Sequence, residues 1–318
     1  MKNFRLLTMS SLLSVLLIGA CAGPAASPTA TPGQSPGESP GQYSPGPTSP
    51  PPTAGPAGDG ISHPTGPHDV ILQYEVGGGF VPIDAVITQV PQFTLYGDGT
   101  VIWVSMEQHA RIGLFGGTLP PLVQGRMDEE AVQALLRFAL GQGRLAGARE
   151  HYQQDTCADC PTTTFRLNAD GVAKTVTVDA LGEVNEGPDA LDRTGFNLLA
   201  ESLSTFDEQA RNGVAGDVSQ YDPPAYRIVL SQAQAEMGDF GDWPWADLDV
   251  EDFAEWEAGW QRRAMLERDL VDDVVEVPNG GFGSVMVEDR DGGLWTVGGR
   301  VLLPHEIAAG DGPETPTP

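Results

Sequence analysis

The sequence predicts an α+β fold: an antiparallel sheet built from β-hairpins, with helices packed on one side. Three observations carry this expectation. Asp-Gly turns join alternating apolar runs at three places, the signature of a tight hairpin. Amphipathic segments with helical spacing lie between those hairpins and stop at glycine. The strands come in adjacent pairs and do not alternate singly with helices, which points away from a parallel βαβ sheet.

The strands come first. "DVILQYEV" alternates and breaks at Gly77-Gly78-Gly79. "PQFTLYGDGTVIWV" turns at Asp98-Gly99, "TTTFRLNADGVAKTVTVDAL" at Asp170-Gly171, and "GSVMVEDRDGGLWTV" at Asp291-Gly292. Their spacing is irregular, so they read as independent hairpins and not as a repeat array. Two helices follow from capping and periodicity. "MDEEAVQALLRFALGQG" offers Asp128 as N-cap and a stripe at Val132, Leu135, Leu136, Ala139 and Leu140. "PDALDRTGFNLLAESLSTFDEQARNG" places Phe196, Leu199, Leu203 and Phe206 at helical spacing. A third helix is expected over "DVEDFAEWEAGWQRRAMLERDL", with Phe253, Trp256 and Trp260 on one buried face, acids in the first turn and arginines later. A division near residues 212–222, "NGVAGDVSQYD", would make two subdomains of the globular part, residues 68–308, which is followed by a disordered tail over 309–318.

The start of the chain fixes the expected compartment. Residues 1–20 carry Lys2 and Arg5, then a short apolar run and small residues before Cys21, the plan of a secretory signal. That run falls short of the roughly 18 residues that cross a bilayer. Ile18-Gly19-Ala20-Cys21 resembles the lipobox of bacterial lipoproteins. The resemblance implies cleavage before Cys21, diacylglycerol on its thiol and a fatty acyl group such as palmitate on the new N-terminus. Two or more acyl chains anchor a protein stably where one is marginal. The stretches "PQFTLYGDGTVI" and "GGRVLLPHE" are similar to uncharacterised lipoproteins of bacteria with GC-rich genomes. The localisation so implied is the cell membrane, lipid-anchored and facing outside the cytoplasm.

Residues 21–67 are nearly all Pro, Gly, Ser, Thr and Ala, too poor in apolar groups to fold, and are expected to form a disordered, partly polyproline linker. At about 3.1 Å per residue its limit is on the order of 140 Å, enough to hold a domain well away from a membrane. The chain carries a formal charge of −27, moving to −29 when the leader with Lys2 and Arg5 is removed. Such a surface repels phosphate backbones, so nucleic acid is not an expected partner.

Candidate sites each stand beside a plainer explanation. Cys157 and Cys160, in "CADC", form an even pair in an oxidising compartment once Cys21 carries lipid, so a disulfide is expected. Redox chemistry would want the first cysteine at a helix N-terminus, and Asp155 and Asp159 disfavour a thiolate. A metal site needs about four ligands, of which His151 is only a third. A loop this short should contribute only about 2 kcal/mol. The stretch "DFGDWPWADLDVEDFAEWEAGW" holds four of the six tryptophans and eight acids without a base. Indole faces beside carboxylates suit sugar stacking, and tryptophans anchor interfaces. Trp243 and Trp245, flanking Pro244 in a loop, are the expected ligand or partner contacts, whereas Phe253, Trp256 and Trp260 read as core. Asp247, Asp249, Glu251 and Asp252 lack the glycine and distal glutamate of a calcium loop and read as helix-capping acids. "DRDGG" reads as a turn. His63 falls in the linker, while His109 and His151 are the candidate bases, each with the plainer reading of an ordinary surface histidine.

No hydrolase elbow, zinc-protease motif or phosphate loop occurs in the sequence, and no cofactor or metal is expected. The expected function is a cell-envelope lipoprotein whose extracytoplasmic domain binds a wall glycan, a peptide or an envelope protein without catalysis. The alternatives are a carboxylate-dependent hydrolase, which needs two acids about 5 to 9.5 Å apart, and a thiol-redox protein using the Cys157–Cys160 pair.

Overall fold

A computed structural model describes residues 60–81, 89–107, 111–112, 118–119, 121–154, 157–183, 187–235, 238, 240–256, 260–272 and 284–310. Cys21 with its leader, the linker as far as residue 59, His109 and the tail from residue 311 lie outside the described residues.

Along the chain the strands are β1 (Val70–Gly77), β2 (Phe93–Tyr96), β3 (Thr100–Val104), β4 (Arg111–Ile112), β5 (Thr118–Leu119), β6 (Leu122–Arg126), β7 (His151–Tyr152), β8 (Thr162–Ala169) and β9 (Val172–Asp179). They continue as β10 (Gly216–Gln220), β11 (Ala225–Gln232), β12 (Gly241–Asp242), β13 (Ala254–Trp256), β14 (Gln261–Glu267), β15 (Ser284–Glu288) and β16 (Leu294–Val301). The helices are α1 (Glu129–Leu140), α2 (Ala190–Ser204), α3 (Phe206–Arg211), α4 (Arg268–Asp272) and α5 (Pro304–Ala309). The fold is α+β, with two antiparallel-rich sheets. The first runs β10-β6-β3-β2-β1-β8-β9-β7 and the second β12-β15-β16-β11-β14-β13, while β4 and β5 pair separately.

Each expected hairpin forms at its Asp-Gly turn. β2 and β3 pair with Phe93 opposite Trp103, β8 and β9 run from Thr162 opposite Asp179 to Ala169 opposite Val172, and β15 and β16 set Val287 against Trp295. Their registers lay side chains out in rows. Phe165, Tyr74, Phe93, Trp103 and Val123 are successive neighbours across five strands of the first sheet, all on one face. Helices α1, α2 and α3 cover this face. Asp128 caps α1 by accepting the Ala131 N–H at 2.8 Å, and Val132, Leu135, Leu136 and Ala139 are buried. Phe206 meets Phe93 and Trp103 edge-on at 5.0 and 5.1 Å, and Phe196 meets Tyr152 at 4.9 Å. The second expected helix breaks at Thr205 into α2 and α3, which lets Phe206 turn down onto Trp103. At Gly195 a Cβ would lie 2.6 Å from the Gln142 carbonyl oxygen, so only glycine lets α2 approach the loop after α1 so closely.

The opposite face of the first sheet carries Tyr96, Ile102 and Leu122, which share one apolar cluster with Tyr226, Ile228, Leu230, Val297 and Leu303 of the second half. The order is therefore helices, sheet, sheet, with a separate apolar cluster in each gap. The chain leaves the first sheet after Gln220 and enters the second at Ala225.

Two expectations are corrected here. The third helix does not form: after a 3-10 turn at Val250–Asp252 the chain is extended, and β14 pairs with β11 over seven positions and with β13 on its other side. Pairing with β11 along its whole length, and with β13 over Gln261–Arg263, satisfies backbone groups of β14 and outweighs the helix propensity of Arg, Ala, Met, Leu and Glu. Phe253 is buried, but Trp256 is half-buried under the Arg263 guanidinium at 5.2 Å, and Trp260 is 40% exposed. The second correction concerns residues 60–67, assigned to the linker by composition. They form a strap across the domain. Gln133 holds Ile61 from both sides, its Oε1 accepting the Ile61 N–H at 2.7 Å and its Nε2 donating to the Ile61 carbonyl at 2.8 Å. Asp170 N–H donates to the Ser62 carbonyl at 2.7 Å, and His63 is buried, with Nε2 3.3 Å from Glu129. Side-chain partners far along the chain supply what the composition of this segment lacks.

Candidate functional site

The most distinctive surface feature lies at the β12 edge of the second sheet. β12 and β15 pair in parallel, with Asp242 directly opposite Glu288, and both side chains are exposed. Beyond Asp242 the chain folds back as Trp243-Pro244-Trp245-Ala246. The residues 242–246 and 288–290 line an open groove of about 480 Å³.

The groove rests on an aromatic cluster. Trp243 and Trp245 meet edge-on with ring centroids 5.2 Å apart, and Phe253 lies 6.1 and 5.5 Å from them. Trp245 is buried and its Nε1 donates to the Leu270 carbonyl at 3.0 Å. Trp243 is half-buried, and its Nε1 donates to the Leu248 carbonyl at 2.7 Å. With both indole N–H groups engaged, what Trp243 offers a ligand is ring surface. The structure thus brings the two expected tryptophans together, with Trp245 a core residue and Trp243 at the groove.

Arg290 fixes the loop. Its guanidinium donates to the carbonyls of Trp245, at 2.9 Å, and Ala246, and pairs with Asp249 at 2.8 Å. Asp249 in turn receives its own backbone contact from Asp252, whose carboxylate accepts the Asp249 N–H at 2.8 Å. These acids are occupied within the loop, as capping groups would be. Asp289 closes the "DRDGG" turn by accepting from the N–H groups of Asp291 and Gly293 at 2.9 and 2.7 Å and from Trp295 Nε1 at 2.7 Å. Burial works against its charge, but these hydrogen bonds outweigh burial and hold its carboxyl below the ordinary range. Asp242 and Glu288 are the groove's outward carboxylates. The sequence reading missed their pairing because they are separated by 46 positions and meet only through the β12–β15 register.

A second cavity, of about 530 Å³, lies near the β7 edge of the first sheet, lined by residues of β9 and by Glu150 and His151. His151 is there. Its Nδ1 lies 2.7 Å from Thr177 Oγ1, and that hydroxyl lies 3.2 Å from the Glu150 carbonyl oxygen. Lys174 Nζ is turned to the carbonyls of Ala146 and Ala148 at 3.2 and 3.1 Å.

Cys157 and Cys160 form a disulfide, with Cα atoms 5.5 Å apart. The closed turn leads into strand β8 and not into a helix, so the thiols lack the helix dipole of a redox motif. Among the described residues no group of three or more His, Cys, Asp or Glu side chains is arranged to hold a metal ion. No described helix is long and apolar enough to cross a membrane. Comparison with protein-family models, with curated proteins and with solved structures gives no match to this chain.

Proposed function

We propose that this chain is a cell-envelope lipoprotein, held at the membrane by acylated Cys21 and extended from it by the Pro-rich linker, whose domain binds a wall glycan outside the cytoplasm without catalysis. The lipobox and leader support the anchor, and the Cys157–Cys160 disulfide fits an oxidising compartment. The observation that carries the binding reading is the groove itself. It pairs a half-buried Trp243 ring with two outward carboxylates, Asp242 and Glu288. A ring face stacks on the apolar side of a sugar, and carboxylates accept hydrogen bonds from its hydroxyl or amino groups. An extended peptide or an envelope protein is the alternative occupant of the same groove.

Titration calorimetry with solubilised wall glycan tests this reading. The full chain should bind, and Trp243→Ala should weaken binding at least about tenfold, a loss of about 1.4 kcal/mol. Equal affinity of the two chains would remove the groove as the site. The same two carboxylates favour one second reading, a glycan hydrolase, because groups side by side on adjacent strands stand close enough to act on one bond. Release of reducing ends that disappears in Glu288→Gln while binding persists would select hydrolysis over binding alone.

A further inference from the structure

We propose that the Cys157–Cys160 disulfide is a redox-sensitive latch that fixes the tip of β1 and with it the outward position of Phe80. Phe80 is 88% exposed, unusual for a phenyl ring, and it follows directly on the Gly77-Gly78-Gly79 break. The backbone there is held from one side by the disulfide-closed turn. Phe80 N–H donates to the Asp159 carbonyl at 3.3 Å. A Cβ at Gly79 would stand 3.1 Å from that same oxygen and 3.3 Å from Pro161 N, so the turn lies flat against the glycine backbone. Gly79 has φ +81, a conformation that glycine adopts without strain. Ala180 N–H donates to the Pro161 carbonyl at 3.0 Å and ties the far end of the turn to the strand pair β8–β9.

The direction of the Asp159 carbonyl therefore depends on a four-residue ring closed by one S–S bond. Ala158 and Asp159 are exposed and both cysteines are half-exposed, so a small dithiol can reach the bond. In the exchange, a thiolate of the dithiol attacks one cysteine sulfur and the S–S bond breaks. The departing cysteine takes a proton, and a mixed disulfide forms. The second thiol of the dithiol then attacks the mixed disulfide, releasing the other cysteine as a thiol. Two electrons pass to the protein, and the dithiol leaves as a cyclic disulfide. With the ring open, Asp159 is no longer bound to face β1, and the Gly79–Phe80 backbone is released while the sheet core stays intact.

Amide hydrogen exchange of the full chain, with and without dithiothreitol, reads this directly. The Phe80 amide should exchange at least about tenfold faster after reduction, while Val76, whose N–H is held by Gln92 Oε1 at 2.7 Å, stays unchanged. A Cys157→Ser/Cys160→Ser chain should show the fast rate with or without dithiothreitol. Gly79→Ala should show it even when oxidised, because the added Cβ displaces the turn. Equal Phe80 rates in the oxidised and reduced wild-type chain would overturn the latch. So would a Val76 amide that accelerates together with Phe80, since that reports unfolding of β1 as a whole. The wild-type comparison decides the matter even if the double variant folds poorly.

Discussion

Arg193 offers the sharpest test of how this domain is held together. It sits in α2 with 2% of its surface exposed, and its guanidinium donates to main-chain carbonyls. The bonds reach Asp179 O at 2.8 Å, Tyr152 O at 3.0 Å and Gln153 O at 3.3 Å. One side chain thus joins the end of β9, strand β7 and the loop that leads to the disulfide. Arg193→Met keeps most of the stem and its packing but removes all the donors. Hydrogen bonds from a charged donor contribute about 1.5–3 kcal/mol each. Counting only the two shorter bonds at the lower figure, the loss is about 3 kcal/mol. For a domain of this size that corresponds to a drop in Tm of about 6–12 °C. Urea denaturation of both full chains measures it, with the slope checked for two-state behaviour. A loss under about 1 kcal/mol would show that water replaces the guanidinium at these carbonyls and that the argument from burial is wrong.

Three further predictions rest on equally specific contacts. Trp245→Ala should cost about 3–5 kcal/mol by denaturation, because a buried ring packed on Phe253 is lost, whereas Trp243→Ala should cost clearly less. Gln133→Ala should release the strap, seen as faster amide exchange at Ile61 with α1 still protected at its centre; an unchanged Ile61 rate would mean the strap is held by other contacts. Glu306 gives the pH dependence. Burial raises its pKa, but the charge and hydrogen bonds of the Arg300 guanidinium, together with the Leu303 N–H and His305, outweigh burial and set it below its ordinary 4.5. Its folded value lies below its unfolded one, so the stabilisation is complete above about 4.5 and disappears as the pH falls through the folded value. Glu306→Gln should therefore be less stable than wild type at pH 7, with the gap shrinking as the pH falls below about 4.5, and a gap that stays constant on acidification would contradict the assignment.

What the sequence by itself determined is what short range decides. An Asp-Gly pair between alternating runs closes a hairpin from within a dozen residues, and all three such turns form. Asp128 followed by a stripe at helical spacing likewise specifies α1, since cap and apolar face are both local. The disulfide was legible for the same reason, two cysteines three positions apart needing only an oxidising compartment. Tertiary structure decided the rest wherever a distant partner outbid a local preference. Residues 261–267 have helical composition, yet β11 captures them along their whole length, and β13 takes the other side of the first three. Residues 60–67 look like linker, yet Gln133 and Asp170 bind their backbone. Nothing local distinguishes Trp243 from Trp245, and only the fold buries the second while leaving the first half-buried at the groove. The pairing of Asp242 with Glu288 and the burial of Arg193 have no local signal at all. Each is made by strands and loops that meet only when two sheets and a helical layer close around their cores.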